Sequence, residues 1–368
     1  MRICLVITEL EPGGAERALV HLACGLQDLK HSVSVISLKP FPGPGRRELI
    51  ERLAKREIAT STLGMQKLFG LVAARKRLRA SLGDFQPDLV QAFLHHANIL
   101  TAMARRPGDP WKLVAGYRVA DPGRWRRFLE KRYKKRWCHL TCVSKDVATD
   151  VIGRLGVDPC RVTTIPNGVE IPAFRDAQRL SSEQWGLRPG RRMLGYIGRL
   201  HPQKGITPLI DHLPQLFESL PGHDLVIAGD GPLHQALQEQ VDRHGLGDRV
   251  VLLGWSDDIP SLMASLDLLL LPSNWEGMPN VVQEAMAAGI PVVSFAVHGI
   301  SELLGNSDSP QVAEAGDYRS LCQKAVEIAR SPDFSSQLGQ RNAISVEQFS
   351  IPGMVDRYNR LYEELCGV

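Results

Sequence analysis

Short apolar runs alternate with amphipathic helical stretches, twice along this 368-residue chain, and this alternation constrains the fold most. The runs of the first half are RICLVIT, SVSVISL, DLVQAF, LVAGYR and HLTCVS, and those of the second half are MLGYIG, DLVIAG, VVLLG, LDLLLL and PVVSF. Apolar runs between helices are typical of buried parallel strands. The sequence therefore predicts an α/β protein with two Rossmann-like, doubly wound parallel-sheet domains.

The segment 165–192 is rich in turn formers and lacks periodicity, as expected of an interdomain linker. The predicted organisation is an N-terminal domain at 1–168, a linker at 169–192 and a C-terminal domain at 193–349. The closing segment, 350–368, is a predicted helix that packs back on the N-terminal domain. The residues on its apolar face are Met354, Tyr358, Leu361 and Tyr362. Two such domains imply a central cleft that binds a ligand.

The composition favours a cytoplasmic protein. Apolar residues make up 43% of the chain and charged residues 23%, as in soluble globular proteins. No apolar stretch reaches the roughly 20 residues of a membrane span, and the first residues do not form a signal peptide. Seven cysteines without pattern indicate reduced thiols. The segment CHLTC, at 138–142, has two cysteines and a histidine, but no second group of ligands accompanies it, so we expect no structural metal site.

Two carboxylates, Glu276 and Glu284, flank the start of a short predicted helix in NWEGMPNVVQEAMAAG. We expect Asn280 to cap this helix, Gln283 to complete a capping box and Gly289 to end it. Both carboxylates would lie at the carboxyl end of a strand, roughly 10 Å apart, which suits two parts of one extended ligand. The alternative for Glu284 is an ordinary acid in the first turn of a helix.

Two cations, Arg199 and Lys204, follow another predicted strand in YIGRLHPQKG. A cation near a helix N-terminus gains nothing from the helix dipole. Two cations at this position therefore indicate that an anion binds between them, and a diphosphate is the obvious candidate. The sequence has no Asp-x-Asp pair that could hold a divalent metal on the diphosphate. We therefore expect Arg199 and Lys204 to take the place of the metal. Gly13 and Gly14 open the first helix, where bare amides can approach a phosphate or sugar, or only form a tight turn.

The motifs GGAER, VSKDV, IPNGVE, IGRLHPQKG, VIAGDGP, VVLLGW and EGMPNVVQEAMAAGIPVV follow one another over nearly the whole chain. In these motifs the chain resembles glycosyltransferase family 4, the glycosyl transferases group 1. The resemblance implies the GT-B fold, in which two Rossmann-like domains face a central cleft. It also implies retaining transfer from a nucleotide-diphosphate sugar. We favour a UDP-sugar over a GDP-sugar as the donor and expect no cofactor or metal.

The resemblance assigns roles to the polar residues. Arg199 and Lys204 would hold the donor diphosphate, Glu284 the ribose hydroxyls and Glu276 the sugar hydroxyls. Gly14 would face the diphosphate from the N-terminal, acceptor-binding domain. The remaining donor contacts would come from Gly254, Trp255, Gly277, Met278, Pro279 and Asn280.

The chain departs from the family at a histidine motif. Many relatives carry His-x-His after the fourth strand, where this chain has Gln91 and Phe93. His95 and His96 follow directly, either of which could be an ordinary surface or core residue. His96 begins the next helix and is our preferred candidate. The predicted catalytic residues are Glu276, His96, Arg199 and Lys204.

The implied mechanism is a front-face transfer in which the leaving phosphate helps to deprotonate the acceptor hydroxyl, so no protein nucleophile is needed. The enzyme would contribute by positioning the substrates, by stabilising the leaving group and by closing its domains. A catalytically silent nucleotide-sugar-binding subunit is the alternative that the missing histidines favour. An inverting transferase or nucleotide-sugar epimerase fits the intact E-x7-E spacing less well.

The segment GRWRRFLEKRYKKRW, at 123–137, carries eight basic residues and one acid. On a helical wheel Trp125, Phe128, Leu129, Tyr133 and Trp137 share one half. A basic amphipathic helix with aromatic residues predicts contact with an anionic membrane surface, and nucleic acid is disfavoured because no reader motif is present. The alternative is a helix packed on its own domain. The predicted membrane-binding residues are Arg124, Trp125, Arg126, Arg127, Lys131, Arg132, Lys134, Lys135 and Arg136.

Membrane contact would fit a lipid-linked glycan or glycolipid acceptor in cell-surface polysaccharide or lipopolysaccharide synthesis. We therefore expect a cytoplasmic protein that is peripheral at the inner face of the cell membrane.

Overall fold

The structure is a computed structural model that describes residues 1–65, 70–119 and 124–368, without the side chains of residues 124 and 125. The chain divides into two compact units. Unit 1 comprises Met1–Gly168 together with Ile351–Val368, and unit 2 comprises Val169–Ser350. Each unit is an α/β domain built on a parallel sheet, which confirms the predicted fold class.

Unit 1 is built on a seven-stranded sheet. Its strands are β1 (Arg2–Ile7), β2 (Ser32–Ser37), β3 (Ala59–Thr62), β4 (Leu89–Phe93), β5 (Lys112–Tyr117), β6 (His139–Cys142) and β7 (Val162–Thr164). Their spatial order is β3-β2-β1-β4-β5-β6-β7, with parallel neighbours throughout. The order changes direction between β1 and β4. The carboxyl ends of these two strands therefore form a topological switch point, where open α/β sheets bind ligands.

Helices connect the strands of unit 1, and the last helix of the chain completes its core. They are α1 (Gly14–Asp28), α2 (Glu48–Lys55), α3 (Leu71–Phe85), α4 (His95–Ala104), α5 (Arg124–Tyr133), α6 (Lys145–Leu155) and α15 (Ile351–Cys366). Helix α15 buries Tyr358 and Tyr362 in the same core as Leu5 of β1. It also packs on α1, where a Cβ at Gly25 would lie 2.4 Å from Cγ2 of Val355. Glycine permits this close approach.

Unit 2 is built on a six-stranded sheet. Its strands are β8 (Arg192–Ile197), β9 (His223–Ala228), β10 (Val250–Gly254), β11 (Leu268–Leu271), β12 (Val292–Phe295) and β13 (Val312–Ala313). Their spatial order is β10-β9-β8-β11-β12-β13, again with parallel neighbours. The switch point of this sheet lies between β8 and β11, so the loops that follow these two strands are neighbours.

The helices of unit 2 begin before its first strand. They are α7 (Ile171–Arg175), α8 (Ile206–Ser219), α9 (His234–Arg243), α10 (Ile259–Ser265), α11 (Asn280–Ala287), α12 (Ile300–Leu304), α13 (Tyr318–Arg330) and α14 (Pro332–Ser345). Helix α7 and a 3-10 turn at Ser182–Trp185 lie within the segment 169–192. Phe174 and Trp185 of this segment are buried, and α7 packs on α10 and α11. The segment is therefore part of the fold of unit 2.

Candidate donor site and acceptor-side residues

The switch point of unit 2 brings together the loops that carry the predicted diphosphate-binding cations and Glu276. Arg199 and Lys204 lie in the loop after β8, and Glu276 lies in the loop after β11. Leu194 of β8 pairs with Leu268 of β11, so the two loops leave the sheet side by side. The parallel sheet thus places the two cations and the carboxylate at one edge.

Direct contacts join these two loops. Nζ of Lys204 lies 2.5 Å from Oε1 of Glu276, and the two side chains are 18% and 8% exposed. The side-chain amide of Asn274 donates to the carbonyl of Pro202 at 2.9 Å, and its backbone N–H donates to the carbonyl of Gln203 at 2.8 Å. The Gln203 amide donates to the carbonyl of Trp275 at 2.9 Å. This network makes the two loops a single structural piece.

Glycines allow the backbone to pack closely behind the site. Gly205 has a φ of +61°, and a Cβ there would lie 2.0 Å from the carbonyl oxygen of Pro272. Its own carbonyl accepts a hydrogen bond of 2.9 Å from the Tyr318 hydroxyl. A Cβ at Gly299, where φ is +81°, would lie 2.4 Å from the carbonyl oxygen of Gly277. Side chains at these positions would displace the loops that carry Lys204 and Glu276.

Arg199 leaves the β8 loop with an exposed side chain. Within the part of the chain that the structure describes, its guanidinium has no ion-pair partner. Its carbonyl accepts a hydrogen bond of 3.1 Å from the Tyr196 hydroxyl, which fixes the backbone. Burial, together with the nearby Glu276 carboxylate, raises the pKa of Tyr196, so this hydroxyl stays protonated as a donor. Arg199 can thus present its charge to a ligand from a fixed backbone.

Helix α11 begins one residue earlier than predicted. Pro279 occupies the N-cap position and Asn280 is the first helical residue, so the predicted Asn280 cap is wrong. The capping box is also wrong, because the Gln283 amide is buried and directed at Sδ of Met278, 3.7 Å away. Gly289 does follow the helix with a φ of +70°, as predicted.

This start places Glu284 as the fifth residue of α11, beyond the first turn. The alternative that Glu284 is a first-turn acid favoured by the helix dipole is therefore wrong. Its side chain is half-buried.

Gly254 and Trp255, two of the predicted donor contacts, lie at the same edge of the sheet. Gly254 ends β10 with a φ of +72°, and its carbonyl accepts a hydrogen bond of 2.7 Å from the backbone of Gly229 after β9. Trp255 follows with 43% of its surface exposed, and its Nε1 donates to Oδ1 of Asp257 at 2.8 Å. Trp275, beside Glu276, is also 43% exposed. Trp275 is not among the predicted site residues, although it directly precedes Glu276.

Gly14 and His96 lie in unit 1, after the two strands of its switch point. Gly14 is the first residue of α1, behind an extended Gly13, and His96 is the second residue of α4. Leu94, between β4 and α4, adopts a positive φ of 73°, which non-glycine residues rarely adopt. The turn exposes His96 at the carboxyl edge of the sheet.

The two histidines differ in environment. Nδ1 of His95 lies 3.0 Å from Oε1 of Glu130, whose other oxygen accepts a hydrogen bond of 2.7 Å from Arg154. His95 therefore belongs to a buried ionic cluster. His96 packs edge-on against it, with ring centroids 5.5 Å apart. Desolvation, then the neighbouring His95 and Arg126, lower the pKa of His96 below its ordinary 6.5, so its imidazole is neutral at pH 7.

Gln91 and Phe93, which stand at the family histidine positions, are core residues. The Gln91 amide donates to the carbonyl of Ala92 at 2.9 Å, and its oxygen accepts a hydrogen bond of 3.1 Å from the Tyr362 hydroxyl. Phe93 is fully buried on β4. Both side chains stabilise unit 1.

Helix α5 carries the predicted membrane-binding segment, and the structure corrects its extent. The helix ends at Tyr133, and Trp137 is buried with its ring edge-on to Tyr117, centroids 6.2 Å apart. Lys134 donates to the carbonyl of Leu155 at the end of α6. Arg136 donates to the carbonyls of Ala102 and Arg105 at the end of α4. Lys134 and Arg136 are therefore engaged within unit 1, as C-terminal caps of neighbouring helices.

The rest of the segment forms an exposed face. Phe128 is 62% and Leu129 38% exposed. The exposed cations around them are Arg126, Arg127, Lys131, Arg132 and Lys135. The one acid, Glu130, is buried in the cluster with His95. The side chains of Arg124 and Trp125 lie outside the described residues. No helix in the described ranges is long and apolar enough to cross a membrane.

Comparisons with known proteins agree with this geometry. Residues 12–171 match the family model of Glycosyltransferase Family 4, and residues 191–331 match that of Glycosyl transferases group 1. The structure of Anabaena HepE in complex with UDP and glucose superposes with a TM-score of 0.83 at 21% identity, over 99% of this chain and 100% of that chain. This likeness shows that the two sheet domains are those of the GT-B fold.

Two curated relatives match part of the chain. The UDP-Gal:alpha-D-GlcNAc-diphosphoundecaprenol alpha-1,3-galactosyltransferase of Escherichia coli is 31% identical over 247 residues, 65% of this chain and 63% of that protein. The N-acetyl-alpha-D-glucosaminyl L-malate synthase of Bacillus anthracis is 28% identical over 207 residues, 55% of this chain and 54% of that protein. The chain thus spans between half and two thirds of the length of these relatives. With both family models matched in chain order and the GT-B fold in place, the chain belongs to the group 1 glycosyl transferases of glycosyltransferase family 4.

Proposed function

We propose that this protein is a retaining glycosyltransferase that moves a sugar from a nucleotide-diphosphate sugar to an acceptor hydroxyl. The observation that carries the proposal is the Lys204–Glu276 ion pair at the switch point of unit 2, with the exposed Arg199 on the same loop. The two cations can bind a diphosphate, and the carboxylate can accept hydrogen bonds from the hydroxyls of the attached sugar. A UDP-sugar is the proposed donor, since the name of the Escherichia coli relative includes UDP-Gal and the HepE structure contains UDP.

The proposed reaction breaks the bond between the anomeric carbon and the diphosphate, and forms a bond from that carbon to the acceptor oxygen on the same face. The acceptor proton passes to an oxygen of the leaving phosphate. Arg199 and Lys204 stabilise the negative charge that develops on the diphosphate, so the reaction needs no metal. Glu276 and Glu284 accept hydrogen bonds from hydroxyls of the donor and fix its position.

The proposed acceptor is a lipid-linked glycan or glycolipid in cell-surface polysaccharide or lipopolysaccharide synthesis. The name of the Escherichia coli relative contains alpha-D-GlcNAc-diphosphoundecaprenol, a lipid-linked sugar. Exposed Phe128 and Leu129 among cations of α5 support peripheral attachment of the protein to an anionic membrane at its cytoplasmic face.

A thermal-shift panel tests the donor site. UDP, GDP, ADP and their sugar conjugates are added to the wild type, to Arg199→Ala and to Glu284→Ala, with Arg243→Ala of α9 as an exposed arginine control. A ligand that binds only the folded protein raises the melting temperature. We expect UDP and UDP-sugars to stabilise the wild type and the control, and the two site variants to lose this shift. A folded wild type that no nucleotide stabilises at millimolar concentration contradicts the proposal.

The silent binding subunit remains an alternative because Gln91 and Phe93 are core residues, which leaves those positions without a histidine. Hydrolysis of UDP-sugar without an acceptor separates the two functions. An enzyme releases UDP slowly, and Glu276→Ala abolishes the release, whereas a silent subunit binds the donor without turnover.

A further inference from the structure

Unit 1 contains a buried arginine without a carboxylate partner among the described residues. Arg118 directly follows β5 and is 7% exposed. Its guanidinium donates to two neutral oxygens, the Tyr358 hydroxyl at 3.3 Å and the side-chain carbonyl of Asn167. It also lies over the ring of Phe93, 5.0 Å from the centroid. Its Nε–H is buried and finds no acceptor in the described part of the chain.

This environment is unfavourable for a charge unless an anion binds there. An ionised group that leaves water loses its hydration, and neutral partners replace only part of it. Arg154 of α6, whose side chain is 5% exposed, is compensated by two carboxylates, Glu130 at 2.7 Å and Asp150 at 3.2 Å. Within residues 1–65, 70–119 and 124–368, no comparable carboxylate accompanies Arg118. Among the described residues, the buried Nε–H therefore lacks an acceptor and the guanidinium lacks a counter-charge.

Arg118 lies at the edge of the sheet where open α/β folds bind their ligands. It lies at the carboxyl end of β5, the strand next to β4, with Phe93 and Gly116 paired across the two strands. His95 and His96 follow β4 at the same edge. Ligands of open α/β sheets bind outside this edge, next to the switch point between β1 and β4. Arg118 thus emerges beside the residues that we place on the acceptor side.

We propose that Arg118 binds the phosphate or diphosphate group of the acceptor substrate. The planar guanidinium matches the oxygens of a phosphate, and Arg is favoured where such a group is recognised away from water. The inference rests on the proposed function and narrows the acceptor to a lipid phosphate or diphosphate. Arg118 would hold this anion so that the accepting hydroxyl of the attached sugar lies over the edge of the sheet.

The test uses the full chain, saturated with UDP so that the donor diphosphate site is occupied. Inorganic pyrophosphate, farnesyl diphosphate and the neutral farnesol are titrated by calorimetry into the wild type, Arg118→Gln and Arg136→Gln. Arg136 is the matched control, because it too ties elements of unit 1 together through neutral oxygens. We expect both diphosphates to bind the wild type and the control, and Arg118→Gln to bind them at least about tenfold more weakly. Farnesol should show no dependence on Arg118.

Two results would overturn the inference: wild-type protein that binds UDP but neither diphosphate, or folded Arg118→Gln that keeps the wild-type affinity. Binding of pyrophosphate alone would identify a free-anion site and exclude the lipid. If Arg118→Gln does not fold, Arg118→Lys retains the charge without the planar guanidinium, and unchanged affinity in it counts against the inference. The heat of UDP binding is measured separately, so failure of the donor site is distinguishable from failure of Arg118.

Discussion

Lys204 and Glu276, 72 residues apart in the sequence, form an ion pair that joins the two loops at the switch point of unit 2. The pair is mostly shielded from water, with side chains 18% and 8% exposed. Each residue thus has a structural partner before any ligand binds. Removal of either one leaves the other charged and poorly solvated, so effects on stability and activity must be separated.

Lys204→Met and Glu276→Gln should each lower the free energy of unfolding, by up to about 3 kcal/mol, because a partly buried charge loses its partner. The double variant should recover part of this stability, since it leaves no unpaired charge. Glycosyl transfer should fall by about 100-fold or more in all three variants. Denaturant titration and donor turnover measure the two effects. Recovery of activity in the double variant would show that the pair is only structural.

Gly205→Ala should separate close packing from backbone strain. A non-glycine residue at a left-handed φ costs about 1–2 kcal/mol. At Gly205 the new Cβ would also meet the carbonyl of Pro272 at 2.0 Å, which forces the loop of Lys204 to move. Gly190→Ala is the matched control, because its φ is +70° and nothing lies within 4 Å of a Cβ there. We expect Gly205→Ala to lose donor affinity and more stability than the control. Equal loss in both variants would contradict this packing role.

Phe128→Asp combined with Leu129→Asp should abolish binding to vesicles that contain phosphatidylserine, measured by co-sedimentation at low ionic strength. Both side chains are exposed among cations, and the substitutions remove apolar surface and add two negative charges. Val72→Asp on α3 is the control, because Val72 is also an exposed apolar residue, at 84%. Binding should weaken as salt rises, since the cations are screened. Vesicle binding by the double variant equal to that of wild type would exclude this face.

His96 should give the reaction an acid limb below pH 6.5. Desolvation and neighbouring cations lower its pKa, so the imidazole remains neutral at pH 7 and becomes protonated only at pH values below its ordinary pKa. If the neutral ring binds substrate, kcat/KM falls on that side, and the limb disappears in His96→Gln. A His96→Gln variant with an unchanged pH profile would remove His96 from the predicted catalytic residues.

Transfer should be unaffected by EDTA, because Arg199 and Lys204 are proposed to neutralise the leaving diphosphate. Donor turnover is measured before and after chelation, and again after Mg²⁺ or Mn²⁺ is added back. If EDTA abolishes turnover and Mg²⁺ or Mn²⁺ restores it, the reaction requires a metal, and Arg199 and Lys204 do not replace it.

The sequence predicted the buried strands well because they are continuous apolar runs, such as Leu268–Leu271. It missed β3, β7 and β13, which are short. Strand β3 has the sequence ATST and is largely exposed at the edge of its sheet, so its pairing with β2 leaves no hydrophobic pattern. Edge strands of this kind are determined by their neighbours rather than by their own residues.

The candidate site was predictable where motif and strand end coincide, as at Arg199, Lys204 and Glu276. The helix start at Asn280 was not, because the sequence pattern indicates Asn280 as the cap, whereas Pro279 occupies that position. The roles of Lys134 and Arg136 were equally hidden. A helical wheel shows charge, but not which cation reaches the end of a neighbouring helix.

The C-terminal helix has a consequence for the order of folding during synthesis. Unit 1 needs Tyr358 and Tyr362 of α15 for its core, whereas unit 2 is complete at Ser350. The ribosome therefore releases all of unit 2 before it supplies the last part of unit 1. Some 180 further residues are translated between Gly168 and α15, at a rate of about 5–20 residues per second. During this time the surfaces of β1 and α1 that α15 covers remain exposed on nascent unit 1. The second unit to be translated is thus the first that can fold to completion.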